Sequence, residues 1–409
     1  MKDNKLYIVM VGLPARGKST ISFRLQETFR RDNIHAKVFN NGNLRRKYRP
    51  TKETYIADFY SPDNKAGVEM RKRFAMMNIS RAKAYLRQGG DVSILDATNA
   101  SPQRRRMIEE NLYDHPILYI ECINNDEEIL SLSIDQKVRT PEFAHLDHGR
   151  ALKEFKKRIN YYEMIYVPLY EERNYIKLDS LHNRILSEKL MDPLPYYSRI
   201  RDFLVTDIVK NLFLIRHAET NYNLEDRIGG DPSLTEKGKA QARALAEFFK
   251  TRNISFIFTS QKKRTIQTAI PICDMQGACT IVPLKEFNEI DAGICECMTY
   301  QEIREKYPTI YDTRKKDKYN YVYPGGESYA TMRERVETGI KKALYLNRNA
   351  DNIMIVGHRA LNRMILAHFL YRREEDVPFI YVPQDKFYHI VATQDKKLFQ
   401  LRRYGPVSI

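Results

Sequence analysis

Residues 5–11 (Lys-Leu-Tyr-Ile-Val-Met-Val) form an apolar run of strand length, and Gly12-Leu13-Pro14-Ala15-Arg16-Gly17-Lys18-Ser19 follows without a break. That second stretch fits G-x-x-x-x-G-K-[ST] at every position, and Ile21, Leu25 and Phe29 then recur at helical spacing. Few folds accommodate such a loop between a buried strand and a helix. Backbone N–H groups at the helix N-terminus cradle phosphates, Lys18 reaches the β- and γ-phosphates, and Ser19 holds Mg²⁺. The ATP-binding candidates are therefore Gly12, Leu13, Pro14, Ala15, Arg16, Gly17, Lys18, Ser19 and Thr20. A mere glycine-rich turn would need neither the strand nor the helix.

Further short strands are expected at 36–39, 91–96, 116–120 and 176–178, with a helical pattern over 66–87. Strands alternating with helices imply an α/β fold, here a parallel, doubly wound sheet. Asp96 ends its strand at the edge where such sheets bind ligands, which makes it the Mg²⁺-side acid. A capping aspartate is the plainer alternative. Residues 182–208 read as helical but broken at Pro193 and Pro195, a joint between domains 1–208 and 209–409.

The second half restarts with Leu212-Phe213-Leu214-Ile215, which stops at Arg216-His217. A guanidinium can clamp phosphate oxygens in a bidentate fork, and a neutral imidazole can attack phosphorus. A helix at 236–250, strands at 256–258 and 280–282, a helix near 262 and another at 328–347 follow. Strand 353–356 then ends at Gly357-His358. Between the two histidines lie Arg264, at the start of a helix, and the acid of Asn288-Glu289-Ile290-Asp291-Ala292-Gly293. Each feature alone fits a packed or surface residue; the ordered set Arg-His…Arg…Glu…Gly-His points to phosphate chemistry.

Composition excludes several classes. The 409 residues suffice for two cores, and 43% hydrophobic with 29% charged residues is ordinary for a globular chain. No run reaches the roughly 18 apolar residues of a membrane span, and Met1-Lys2-Asp3-Asn4-Lys5 lacks a leader core. Cys122, Cys273, Cys279, Cys295 and Cys297 lack zinc spacing, so a reduced cytoplasmic protein is expected. The charge of +16 is scattered, which suits phosphorylated metabolites and a lysine-rich surface; no nucleic-acid or membrane partner is expected.

The ordered set resembles the histidine phosphatase (phosphoglycerate mutase-like) superfamily. With the phosphate loop in front, the chain resembles the 6-phosphofructo-2-kinase/fructose-2,6-bisphosphatase family from Leu6 to about residue 395. The likeness rests on Gly-Leu-Pro-Ala-Arg-Gly-Lys, Asp96-Ala97-Thr98-Asn99, Ile228-Gly229-Gly230-Asp231, Arg264-Thr265-Ile266-Gln267-Thr268-Ala269, Asn288–Gly293 and Tyr323-Pro324-Gly325-Gly326-Glu327-Ser328-Tyr329. It implies two P-loop- and phosphatase-type α/β domains, ATP with Mg²⁺ on Lys18, Ser19 and Asp96, and a dimer through the first half. Around fructose 6-phosphate it implies Arg46, Arg71, Thr98, Arg104, Arg158 and Tyr162, with Lys137 near the transferring phosphate and no carboxylate base. In the phosphatase it implies His217 as nucleophile and Arg216, Arg264 and His358 on the phosphoryl group. Glu289 is the matching proton donor, with Glu286 and Glu219 as rivals by proximity. Asn223, Gly229, Tyr300, Arg314, Lys318, Arg359 and Arg363 hold the sugar phosphate.

Five positions depart from the family pattern. Ala218 replaces a glycine, Val322 an arginine, Arg359 a glutamine, Asn124 a cysteine and Leu132 an asparagine. If position 218 needs a positive φ, the alanine costs about 1–2 kcal/mol. Control by phosphorylation of flanking extensions is not expected. The implied activity is synthesis and hydrolysis of fructose 2,6-bisphosphate. The rival readings are a kinase–phosphatase acting on nucleic-acid ends, a largely monofunctional member of the family, and a non-catalytic binding protein.

Overall fold

In the computed structural model the described residues are 4–48, 54–370, 373–394 and 396–405, so residues 1–3 of the stretch searched for a leader lie outside them. The chain divides into two units, Met1–Thr206 and Asp207–Ile409.

The first unit carries strands β1 (Leu6–Val11), β2 (Ala36–Asn40), β3 (Val92–Asp96), β4 (Ile117–Ile123), β5 (Asn174–Asp179) and β6 (Arg184–Leu190). Its helices are α1 (Lys18–Arg31), α2 (Asn41–Tyr48), α3 (Lys65–Arg87), α4 (Pro102–Asn111), α5 (Glu127–Val138), α6 (His148–Glu163) and α7 (Tyr197–Val205). The sheet runs β2-β3-β1-β4-β5-β6, with β1 to β5 parallel and β6 antiparallel to β5. All six residues of β1 are buried, so both faces of the sheet must be covered. On one face Tyr7, Val9 and Val11 pack with Phe39, Ile79, Leu86, Ile108 and Tyr119. Each such side chain contributes about 1.5–3 kcal/mol on burial.

The stretch 182–208 is not the broken helix expected. Asp179 accepts N–H groups of Leu181 and His182, Asn183 turns the chain at φ 50°, and β6 follows as an edge strand. Its residues are mostly exposed, so it lacks the apolar run by which strands were read. Pro193 and Pro195 precede α7 rather than interrupting a helix.

The second unit carries β7 (Val209–Arg216), β8 (Phe256–Thr259), β9 (Thr280–Pro283), β10 (Asn352–Gly357), β11 (Lys386–Ala392) and β12 (Lys397–Arg403). Its helices are α8 (Asn221–Leu224), α9 (Glu236–Phe249), α10 (Lys263–Asp274), α11 (Tyr300–Lys306), α12 (Pro308–Lys316), α13 (Tyr329–Leu346) and α14 (Arg359–Leu370). The order is β12-β11-β7-β10-β8-β9, parallel from β7 to β9, with β11 and β12 antiparallel. The α/β class stands for both units, with the antiparallel β6 at one edge of the first sheet and the antiparallel pairings of β11 and β12 at one edge of the second as additions to the parallel strands that were expected. Phe213, Phe249 and Phe387 meet at ring separations of 5.0–6.1 Å in the core beneath β7.

Cys273 and Cys279 are joined in a disulfide, whereas the sequence reading expected reduced thiols throughout. The turn between α10 and β9 brings their Cα atoms within 5.4 Å, a proximity no spacing rule announces. Cys122, Cys295 and Cys297 take no part in that disulfide.

Phe249→Ala removes a fully buried ring. It should cost about 3–5 kcal/mol, read as a lower denaturant midpoint for the second unit.

Candidate active sites

Parallel pairing places the ends of β7, β8 and β10 on one edge. Gly357 lies opposite Arg216, so the next residues, His217 and His358, are neighbours by register. The His217 N–H donates to the Gly357 carbonyl at 2.9 Å, and the two imidazole centroids are 5.3 Å apart. His217 Nδ1 lies 2.8 Å from the Ala218 carbonyl. A carbonyl only accepts, so Nδ1 carries the proton and the Nε2 lone pair is left for attack. Burial lowers the basicity of both imidazoles well below the usual range, and the cation Arg264 adds to the effect.

Val356 lies opposite Thr259, which brings Ser260 to the same edge. Ser260 Oγ is 2.8 Å from His358 Nε2, while His358 Nδ1 is buried with no hydrogen-bond partner. Arg216 is pulled down to about 9, first by burial and then by Arg359, with Glu289 opposing. Its Nε is also buried and unpartnered, an arrangement that awaits an anion. Arg264 is 4% exposed and donates to the Gly230 carbonyl at 2.8 Å.

These groups open on a cavity of about 690 Å³. Its lining includes Arg216, His217, Arg264 and Glu289 together with Asn223, Gly229, Tyr300, Arg314, Lys318, Arg359 and Arg363. The phosphatase residues implied by the resemblance thus line one cavity except His358, which is fully buried and meets it only through its contact with His217. Arg314 lies over the rings of Tyr300 and Tyr323, at 5.5 and 5.3 Å, and Lys318 over Phe379 at 4.8 Å. Gly229 has φ 69°, and a Cβ there would meet the Glu296 carboxylate at 2.0 Å. Glu289 accepts N–H groups of Ala360 and Leu361 at 3.1 Å, at the start of α14. The rival acids are engaged elsewhere: Glu286 with Lys342 at 2.8 Å, and Glu219 with Lys237 and Thr235 at 2.9 Å.

The departures sort by position. Ala218 is absent from the described non-glycine residues with positive φ, so the alanine carries no backbone strain. It is buried against Leu234 and Ala242, and its N–H donates to Thr268 Oγ1 at 3.0 Å. Val322 is half exposed and outside the cavity lining, whereas Arg359 lines the cavity and acts on Arg216 and His217. Sequence reasoning did not assign Ser260 or Gln384. Gln384 donates to the His217 carbonyl at 3.1 Å and to Asn223 Oδ1 at 2.8 Å from a loop with no periodicity. Ser260 was legible only as the residue after a strand.

In the first unit the same edge logic holds. The phosphate loop leaves β1, with Gly12 at φ 132° and Gly17 at φ 88°. A Cβ on Gly12 would lie 2.5 Å from the Cys122 carbonyl, so only glycine lets the loop pass there. Lys18 Nζ donates to the Leu13 carbonyl at 2.6 Å, and burial brings it down to about 8. Asn40 lies opposite Asp96 in the register. Its amide donates to the Asp96 carboxylate and reaches Ser19 Oγ at 3.5 Å, drawing the two magnesium candidates together. Thr98 accepts the Gly12 N–H on its carbonyl. Asn124 is buried, with Oδ1 on the Asp126 N–H and Nδ2 unpartnered; Leu132 lies half-buried on α5.

Two of the expected acceptor residues, Arg46 and Arg158, meet at a group that sequence reasoning did not foresee. Glu142 is 6% exposed and accepts from Arg45 at 2.6 Å, Arg46 at 2.8 Å and Arg158 at 3.3 Å. A carboxylate therefore does stand beside the expected acceptor residues. Burial alone would raise it, but Arg158 and Arg45 hold it down at about 2, so it is an anchor rather than a base. Lys137 is depressed by burial despite the nearby Glu142. Arg158 lies 3.9 Å over Tyr60, whose ring also neighbours Tyr162 and Arg71. Tyr162 and Arg71 in turn act on Arg104.

Loop, paired histidines and basic cavity define a phosphate-loop kinase module followed by a histidine phosphatase. Residues 1–217 match the family model for 6-phosphofructo-2-kinase, and residues 212–404 that for the histidine phosphatase superfamily (branch 1). The chain is 37% identical over 398 residues to 6-phosphofructo-2-kinase/fructose-2,6-bisphosphatase 3 of Rattus norvegicus, covering 94% of this chain and 69% of that protein. It is 38% identical over 391 residues to 6-phosphofructo-2-kinase/fructose-2,6-bisphosphatase 1 of Rattus norvegicus, covering 92% and 79%. The chain belongs to the 6-phosphofructo-2-kinase/fructose-2,6-bisphosphatase family.

Two outcomes follow from the geometry. A lysine at about 8 is charged below that pH and neutral above it. Affinity for ATP, measured by calorimetry, should therefore be full at pH 7 and fall above pH 8. Ala218→Gly should lower stability by about 0.4–1 kcal/mol through the unfolded chain and leave phosphatase turnover unchanged.

Proposed function

We propose that the chain is a bifunctional enzyme that makes fructose 2,6-bisphosphate from fructose 6-phosphate and ATP and hydrolyses it again, thereby controlling glycolytic flux. Residues 1–208 carry the kinase and 209–409 the phosphatase. The observation that carries the hydrolytic half is the pair of imidazoles 5.3 Å apart on one strand edge, at a basic cavity.

In the phosphatase, His217 Nε2 attacks the phosphorus of the 2-phosphate. The N–P bond forms as the bond to the sugar oxygen breaks, and Glu289 gives that oxygen a proton. Backbone N–H groups of α14 then hold the carboxylate left behind. Arg216, Arg264 and His358 take the phosphoryl oxygens, where one lost donor typically costs about 10²–10³ in rate. Water next attacks the phosphohistidine, a phosphoryl oxygen takes its proton, and phosphate leaves with His217 restored and Glu289 reprotonated from solvent. Asn223, Gly229, Tyr300, Arg314, Lys318, Arg359 and Arg363 hold the sugar and its remaining phosphate.

In the kinase, the loop N–H groups and Lys18 hold the ATP phosphates. Ser19 and Asp96, both hydrogen-bonded by Asn40, offer hard oxygen donors that would hold Mg²⁺, which would neutralise phosphate charge there. Arg46, Arg71, Thr98, Arg104, Arg158 and Tyr162 position fructose 6-phosphate, and Lys137 faces the transferring group. No side chain acts as an acceptor base: Glu142 is held ionised by its arginines. The same reading places a homodimer in the cytoplasm.

One preparation assayed for both reactions tests this. Lys18→Met should abolish the kinase and spare the phosphatase, and His217→Ala should do the reverse. Acid-quenched wild type should carry label on His217, and turnover without label there would overturn the phosphohistidine route. Stimulation of ATP turnover by oligonucleotides rather than fructose 6-phosphate would favour action on nucleic-acid ends.

A further inference from the structure

The motif Tyr323–Tyr329 supplies two tyrosines to the phosphatase cavity, yet its central acid, Glu327, is no part of that lining. Glu327 lies along a second cavity of about 640 Å³, which it shares with Arg335, Asn288 and Glu289. Its carboxylate takes a two-pronged contact from Arg335 on α13, at 2.7 Å from Nε and 2.6 Å from Nη2. The rest of that guanidinium donates to three carbonyls of one loop: Glu286 at 2.8 Å, Asn288 at 2.9 Å and Glu289 at 3.3 Å. An arginine has five N–H donors, and five contacts use them.

Glu327 closes the arrangement from the other side. Its carboxylate accepts the Asp291 N–H at 3.1 Å, and its own N–H donates to the Asp291 carbonyl at 2.8 Å. Segment 286–291 is therefore tied through three carbonyls, one N–H and one further carbonyl to a single ion pair. Glu289 sits in the middle of that segment. Its carbonyl accepts from Arg335 on α13, and its carboxylate accepts the N–H groups of Ala360 and Leu361 in the first turn of α14.

We propose that the Arg335–Glu327 pair is the positioning device for the phosphatase proton donor, holding the Glu289 carboxylate at the reach required by the leaving oxygen. This rests on the reading of Glu289 as that donor. Neither residue touches substrate; the pair acts through the loop it grips. Such a role leaves a chemical signature that a merely structural clamp does not. Harm should appear only where the leaving group needs a proton.

The experiment uses the full chain with two substrates: fructose 2,6-bisphosphate, and p-nitrophenyl phosphate, whose leaving group departs without protonation. Arg335→Ala should lower kcat on the bisphosphate by about 10²-fold, the typical cost of a misplaced group. KM and turnover of the aryl phosphate should stay near wild type, and Arg335→Lys should restore part of the loss. Added to Glu289→Gln, Arg335→Ala should cost nothing further. Equal losses on both substrates, or losses that multiply in the double variant, would overturn the proposal. Kinase activity of each preparation reports the amount of intact protein. Should Arg335→Ala not accumulate, Glu327→Gln carries the same expectation on both substrates. If Glu289→Gln itself leaves bisphosphate turnover intact, the donor reading falls; if Glu289→Gln is crippled and the clamp variants are not, the clamp alone falls.

Discussion

The hydrogen bond from the His217 amide to the Gly357 carbonyl extends the β7–β10 ladder one step beyond the last strand pair. The phosphatase site depends on that step. Parallel strands deliver their C-terminal ends to one edge, and a shift of one residue in register would turn one imidazole to the opposite face. With the register fixed by six residue pairs, two histidines 141 positions apart in sequence meet without either loop having to find the other. The remaining parts hang from the same edge: Ser260 from β8, and Glu289 on the segment after β9.

The first unit repeats the principle with other chemistry. Asn40 and Asp96 are strand partners, so the amide that orients the carboxylate comes from the ladder itself. Gly12 is forced by a neighbouring strand's carbonyl, not by the phosphate alone. Both sites thus draw their precision from backbone pairing, which is stiff, and leave side chains the task of carrying charge.

How much of this was legible in the sequence follows from what each feature depends on. Buried parallel strands announce themselves as apolar runs, so β1, β3, β7 and β10 were found with the residues that end them. Exposed antiparallel strands such as β6 and β12 carry mixed residues and gave no such sign. Phosphatase residues were readable because their chemistry dictates their type. Supporting groups were not: Gln384, Ser260 and Arg335 use ordinary polar atoms whose meaning exists only once the chain is folded. Glu142 was hidden for the same reason, since three arginines from two helices, α2 and α6, claim it only in space.

That glutamate has a consequence for the empty enzyme. Three guanidinium groups crowded together without a counterion would repel one another and loosen the helices that bear them. An internal anion settles the quarrel in advance, so the resting pocket keeps its shape between turnovers. In the proposed acceptor site an incoming sugar phosphate then meets cations already half-satisfied, and must share them rather than rescue them. Grip is moderated accordingly, which suits a catalyst that has to let a doubly phosphorylated product go.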